Sequence, residues 1–164
     1  VSWRREIPKY PMYIAVVALT MLILPLTSIA VEHGVHPDIT LVTLTGRWFV
    51  FWSVGVRLAL AGLRQFFQPT FTAREIFHAT SDEVLPFVRE LGVANFASGL
   101  VALLSLWNAS FLLPSAIYAA IFYGVAGVMH ITGRDRSRNE NIAMASDLFI
   151  AAVLATCVAW MFWS

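Results

Sequence analysis

The residues best placed to do chemistry are two arginines inside an apolar segment, Gly55-Val-Arg-Leu-Ala-Leu-Ala-Gly-Leu-Arg64. Arg57 lies near the middle of that segment and Arg64 near one end. An arginine at bilayer depth costs roughly 2.5–3.5 kcal/mol on insertion scales, so it must face protein or water and find a partner. On a helix, Arg57, Ala61, Arg64 and Gln68 fall at i, i+4, i+7 and i+11 and share one face. The acidic residues carried into other apolar segments are Glu90, at the head of one, and Glu140 and Asp147, seven apart in the last. Asn95 and His130 add neutral polar groups.

The simplest arrangement gathers Arg57, Arg64, Glu90, Asn95, His130, Glu140 and Asp147 into one polar cluster. Arg57 then pairs with Asp147 or Glu90, and Arg64 takes the other, since a bidentate guanidinium–carboxylate pair satisfies donors where water is scarce. Such pairs can serve only to fix helix register. They can also bind a headgroup, a quinone oxygen or a proton. No residue stands out as catalytic. His130 is a conceivable ligand for haem or chlorophyll, but no second histidine lies within an apolar segment to complete a bis-histidine haem site. Glu32-His-Gly-Val-His36-Pro-Asp38 holds metal-ligating side chains at a spacing that matches no defensible site, so no metal is expected. Cys157 is the single cysteine, which excludes an internal disulfide and CxxC redox chemistry. No phosphate-binding loop, nucleophile elbow, HExxH or dinucleotide motif occurs, and no basic patch points to nucleic acid.

The elements that must position these residues are membrane helices. The 164 residues are 59% hydrophobic and only 13% charged, about half the charged fraction of a soluble domain. The expected fold is all-α: one polytopic transmembrane helical bundle over residues 1–164, with membrane helices near 12–31, 46–67, 83–107, 111–131 and 142–163. Pro25 should kink the first, with Thr27 or Ser28 satisfying the freed carbonyl. Residues 32–45 read as a polar loop. Trp48, Phe49, Phe51 and Trp52 read as an interfacial belt, and so do Trp3, Tyr10 and Tyr13 beside Arg4, Arg5 and Lys9. Gly55 and Gly62 should admit a neighbouring helix at close range. Thr72-Ala-Arg-Glu75 has the capping-box pattern, placing a short interfacial helix near 72–80. Ser81-Asp-Glu83 starts the next helix. Asn95, Ser98, Gly99, Ala102 and Ser105 form a small, polar packing stripe. Asn108-Ala-Ser110 is a formal glycosylation sequon that reads as a tight connection. The first apolar run is too long for a cleaved signal peptide and reads as a retained helix.

Charge asymmetry sets the orientation. Five crossings put Arg4, Arg5, Lys9, Arg64, Arg74, Arg89, Arg134, Arg136 and Arg138 on one side and only Arg47 on the other. The positive-inside rule then places the N-terminus in the cytoplasm and the C-terminus in the periplasm of a bacterial inner membrane.

Several of these stretches resemble a known family. Arg57-Leu-Ala-Leu-Ala-Gly-Leu-Arg64 followed by Pro69 is similar to the opening helix of the DoxX-like bacterial membrane proteins. Arg89-Glu90-Leu-Gly-Val, leading into Gly99-Leu-Val-Ala-Leu-Leu, resembles that family's next helix, and Asn139-Glu140-Asn141 its last polar-to-apolar junction. Residues 46–150 are closer still to an uncharacterised group with the same Phe-Trp-Ser-Val-Gly-Val-Arg and Arg-Asn-Glu-Asn-Ile-Ala patterns. The first helix is extra to the four-helix pattern. The resemblance implies a link to quinone-dependent sulfur oxidation or to redox complexes, with Arg57, Glu90, Glu140 and Asp147 as the site.

The functional expectation is an accessory or scaffold subunit of a respiratory or photosynthetic membrane complex, with lipid and other membrane subunits or further copies of itself as partners. The alternatives are a quinone-linked oxidoreductase subunit or a small transporter using Arg57, Glu90 and Asp147. A scaffold calls for a tightly packed interior, whereas a quinone-reactive subunit calls for a cavity reaching Arg57 or His130. Quinone or lipid is the expected ligand class.

Overall fold

The computed structural model describes residues 10–132 and 138–163. Every regular element among them is helical. Helix α1 covers residues 10–35, α2 covers 41–67, the short α3 covers 69–76, α4 is Leu85–Leu104, α5 is Leu112–Thr132 and α6 is Arg138–Trp163. Single tight turns at Asp82–Val84 and Ala109–Phe111 lead into α4 and α5. Four stretches, Met12–Val35, Asp82–Leu104, Ala109–Ile131 and Glu140–Trp163, are long and apolar enough to cross a bilayer. The protein is therefore a membrane-spanning all-α bundle. The anchor residues Trp3, Arg4, Arg5 and Lys9 and the arginines at 134 and 136 lie outside the described residues.

Helix α2 is the axis of the bundle. It packs against α1, α4, α5 and α6 alike, and Leu44, Val50, Ser53 and Val54 along it are wholly buried. That position explains its composition. Although Leu60, Leu63, Phe66 and Phe67 are exposed on its second half, the neighbours on its other faces let it carry Arg47, Arg57 and Arg64 where a helix in lipid alone could not. The outward faces of the others show lipid-compatible side chains such as Phe87, Ile121 and Trp160.

Glycine sets the closest approach. A Cβ on Gly62 would come within 2.5 Å of the Gly92 carbonyl oxygen and the Phe96 nitrogen, and one on Gly99 within 2.6 Å of the Ala59 nitrogen. Helices α2 and α4 thus meet backbone to backbone along Gly55, Gly62, Gly92 and Gly99. The expected stripe on α4 is mostly this seam: Asn95, Gly99, Ala102 and Ser105 are buried, whereas Ser98 is not and donates to the Ala94 carbonyl of its own helix.

Both α1 and α2 widen into π-helical turns, over Leu19–Ile23 and Val50–Val56, and the two turns touch. In the first, the Leu24 N–H bonds to the Leu19 carbonyl, five residues back. The next donor in that register would be residue 25, a proline with no N–H. The Thr20 carbonyl left over accepts instead from the Ser53 hydroxyl, at 3.1 Å. In the second turn the Arg57 N–H bonds to the Trp52 and Val54 carbonyls and passes over that of Ser53. The Ser53 carbonyl accepts from the Tyr123 hydroxyl, at 2.6 Å. Pro25 therefore leaves a carbonyl free, but that carbonyl is satisfied across the bundle, not by Thr27 or Ser28. Ser28 receives the Trp52 indole N–H, at 3.0 Å. One buried seam ties α1, α2 and α5 at mid-bundle and fixes the direction in which Arg57 leaves its helix.

The helix limits differ from the sequence expectation mainly around 32–45. Helix α1 continues to Val35, and α2 begins at Leu41, where the Thr40 hydroxyl accepts from the Thr43 N–H. Glu32 explains the extension: it stays helical and accepts from Arg47 and from the Trp48 indole, the latter at 2.6 Å. Phe49 is not part of an interfacial belt. It is buried against Phe149, with ring centroids 6.0 Å apart. The short helix starts at Pro69 and ends at Ile76, so Thr72 lies inside it and is not its cap. Ser81 and Asn108 do cap, accepting from the Glu83 and Ser110 N–H groups.

Candidate functional site

At the end of the bundle where α2 finishes, the helices part around a cavity of about 690 Å³. Its wall comes from five helices and the short α3: Met12 and Tyr13 from α1, the face from Arg57 to Gln68 of α2, Phe71 to Ile76 of α3, Leu91 and Asn95 of α4, Phe122 to His130 of α5, and Ala143 and Asp147 of α6. The π-turn of α2 ends at Val56, immediately before Arg57, so the seam at Ser53 closes the cavity at its deep end.

Five of the seven site residues drawn from the sequence, Arg57, Arg64, Asn95, His130 and Asp147, line this one cavity. The other two do not. Glu90 is exposed. Its neighbour Leu91 faces the cavity, and a single residue turns a helix by about 100°, which carries Glu90 outward. Glu140 is buried, two turns before Asp147, where α3 and the loop after it lie against α6. There its carboxylate meets His78 Nε2 at 2.9 Å. His78 sits at φ 51°, in the left-handed region, to make that contact.

The expected ion pairs are not made. Among the described residues, no carboxylate comes within ion-pair distance of Arg57 or Arg64. Arg57 approaches the Tyr13 ring, its guanidinium carbon 5.9 Å from the ring centre, and its Nε is buried without a hydrogen-bond acceptor. Arg64 lies over the Phe71 ring, its guanidinium carbon 3.6 Å from the ring centre. Stacking covers the face of a guanidinium and leaves its N–H edge for acceptors in the plane. Asp147 is buried and faces Arg57 across the cavity. The Asn95 amide donates to Gln65 Oε1 at 2.7 Å, which leaves the Gln65 NH₂ available as a donor.

Sequence reasoning missed Gln65, Tyr13, Tyr123 and Phe71 as parts of this site. Gln65 was legible, since it stands eight residues after Arg57 on the same face. Tyr13 read as an interfacial anchor, and nothing in the sequence aligned Phe71 under Arg64. The cavity sets two guanidinium groups, the Gln65 and Asn95 amides, His130 and the Asp147 carboxyl in an otherwise largely aliphatic and aromatic wall. It can hold a molecule with an oxygen-rich polar end and an apolar body.

No curated protein and no solved structure matches the chain. Residues 12–163 match the profile of a family described as a family of unknown function, DUF6790. That match spans nearly the whole chain, and the chain belongs to the DUF6790 family.

Proposed function

We propose that this protein binds an amphipathic small molecule from the membrane, with the polar end of the ligand among Arg57, Arg64, Gln65 and Asn95 and its apolar part against the aliphatic and aromatic wall. The observation that carries the reading is the cavity of about 690 Å³, into which two arginines turn with no carboxylate at ion-pair distance among the described residues. Its size falls within the ~300–1,000 Å³ usual for small-molecule sites. A scaffold subunit would have no use for it, so a ligand-binding bundle is the better reading, whether the chain works alone or beside other membrane subunits. The donors suit carbonyl as well as anionic oxygens, so a quinone of the kind implied by the DoxX-like resemblance belongs to the admissible class.

Helix α2 crosses the membrane as a fifth span in this reading, its arginines sheltered by the four apolar helices around it. The arginine and lysine asymmetry of the sequence then puts the cavity in the cytoplasmic half of a bacterial inner membrane, with the N-terminus inside.

The test is native mass spectrometry of the protein extracted in mild detergent, beside an Ala126→Trp variant that fills the cavity from α5. The expected result is one small molecule travelling with the wild type and lost from the variant. Equal retention by both, or none by either after addition of membrane lipid extract, would contradict the reading.

A further inference from the structure

We propose that the ligand of this cavity is a singly charged oxyanion on a long apolar chain, its head held by Arg64 and its chain lying along the deeper wall. This inference rests on the cavity being a binding site and adds the charge and orientation of what it takes.

The first support is the charge count. Among the described residues, the cavity is lined by two guanidinium groups, Arg57 and Arg64, by one carboxylate, Asp147, and by the imidazole of His130, taken as neutral. Among the described lining residues one positive charge is left without a counterpart, on the half-exposed Arg64 at the mouth of the cavity, where it attracts an anion. A ligand carrying one negative charge restores neutrality. A neutral ligand leaves the excess, and a doubly charged one reverses it.

The second support is which arginine is left over. Arg57 faces Asp147, and the Tyr13 ring lies beside it. Arg64 is two turns nearer the end of α2, and its described neighbour is an aromatic face. Placed over Phe71 and lining the cavity, it keeps N–H donors for a ligand, and a guanidinium can hold a carboxylate or phosphate through two parallel hydrogen bonds. The Gln65 NH₂ is on the same stretch of helix. Arg64 is thus both the uncompensated charge and the one that keeps donors for a ligand.

The third support is the direction of polarity. Arg64 and Gln68 lie in the last turn of α2 or just past it, near the membrane surface, whereas Leu58, Phe122 and Ala126 line the wall further in. A head at Arg64 with its chain running inward follows that gradient. Fatty-acid carboxylates and phosphodiester lipids share the required chemistry and differ in head size and chain number.

The experiment uses the full chain, freed of lipid in a neutral detergent and titrated separately with oleate, with phosphatidylglycerol and with dioleoylglycerol as the uncharged control. Bound species are counted by native mass spectrometry. Wild type is expected to prefer an anionic probe over dioleoylglycerol by roughly tenfold or more, the scale of a charge-assisted pair of hydrogen bonds. Preference for oleate assigns a carboxylate head, and preference for phosphatidylglycerol a phosphodiester. In Arg64→Gln the preference should vanish while dioleoylglycerol binding stays within about twofold. Arg64→Lys, which keeps the charge, should retain a reduced preference and guards against a variant that merely fails to fold. Equal affinity of wild type for charged and uncharged probes, or a preference that survives Arg64→Gln, would overturn the inference. Binding that Ala126→Trp abolishes but that shows no charge preference would overturn this inference alone. Binding indifferent to Ala126→Trp would overturn the cavity as the site.

Discussion

The two ends of helix α2 handle the same problem in opposite ways. At its start, Arg47 is met by Glu32 from α1, and the Trp48 indole takes the second carboxylate oxygen. Gly46 and Val42 lie against Cys157 of α6, and the space beside Glu32 and Trp48 is about 220 Å³. At its finish, Arg57 and Arg64 turn into a cavity of about 690 Å³ and meet aromatic rings in place of carboxylates. The polar seam of Thr20, Ser53 and Tyr123 separates the two regimes. An arginine whose partner is built into the fold holds helices together. An arginine held by aromatic rings beside open space is, on the proposed reading, kept for a ligand.

The largest expected effect removes the distinction by breaking both ends at once. Gly62→Leu or Gly99→Leu would drive a side chain into the backbone of the facing helix. Each should cost about 3 kcal/mol or more, read as loss of the folded fraction in detergent-mediated unfolding. The next comparison sharpens the contrast. Arg47→Leu strands the Glu32 carboxylate and should cost about 1–3 kcal/mol. Arg57→Leu breaks no ion pair among the described residues but removes the charge that faces buried Asp147, and should cost about 1 kcal/mol or less in the same unfolding measurement. A severe loss in Arg57→Leu would mean that the deep arginine is architectural after all. Smaller again are Ser53→Ala and Tyr123→Phe, each of which leaves a mid-bundle carbonyl without its donor. Each should cost about 1 kcal/mol, and the double variant should cost less than their sum, since both act on one seam.

Much of this was legible in the sequence, and the pattern of what was not has a physical cause. Apolar runs of bilayer length located the helices, and the i, i+4, i+7 spacing from Arg57 located the lining face of α2. Small residues on α2 and α4 announced their close packing, although the partner glycine at 92 went unnoticed. Pairing was the part that failed. Periodicity shows which face of its own helix a carboxylate occupies but not where that helix is rotated against its neighbours. Glu90 therefore points outward, and Glu140 meets His78 in a loop whose left-handed turn no local pattern signals. The Glu32–Arg47 bridge was hidden because a stretch rich in histidine, glycine and aspartate reads as loop, and a tertiary contact kept the first of it helical. The π-turns were invisible for the same reason: their freed carbonyls are satisfied by side chains on other helices.

The measurement that bears most directly on the contrast is the shift in unfolding temperature of the lipid-freed protein on adding oleate or phosphatidylglycerol, compared among wild type, Arg47→Leu and Arg64→Gln. A ligand at about 100 times its dissociation constant adds about 2.7 kcal/mol to the folded state. The account requires at least one probe to give a clear upward shift in wild type. Arg47→Leu should show the same shift from a lower starting point, and Arg64→Gln should show little or none. A shift that disappears in Arg47→Leu and persists in Arg64→Gln would reverse the roles assigned to the two ends.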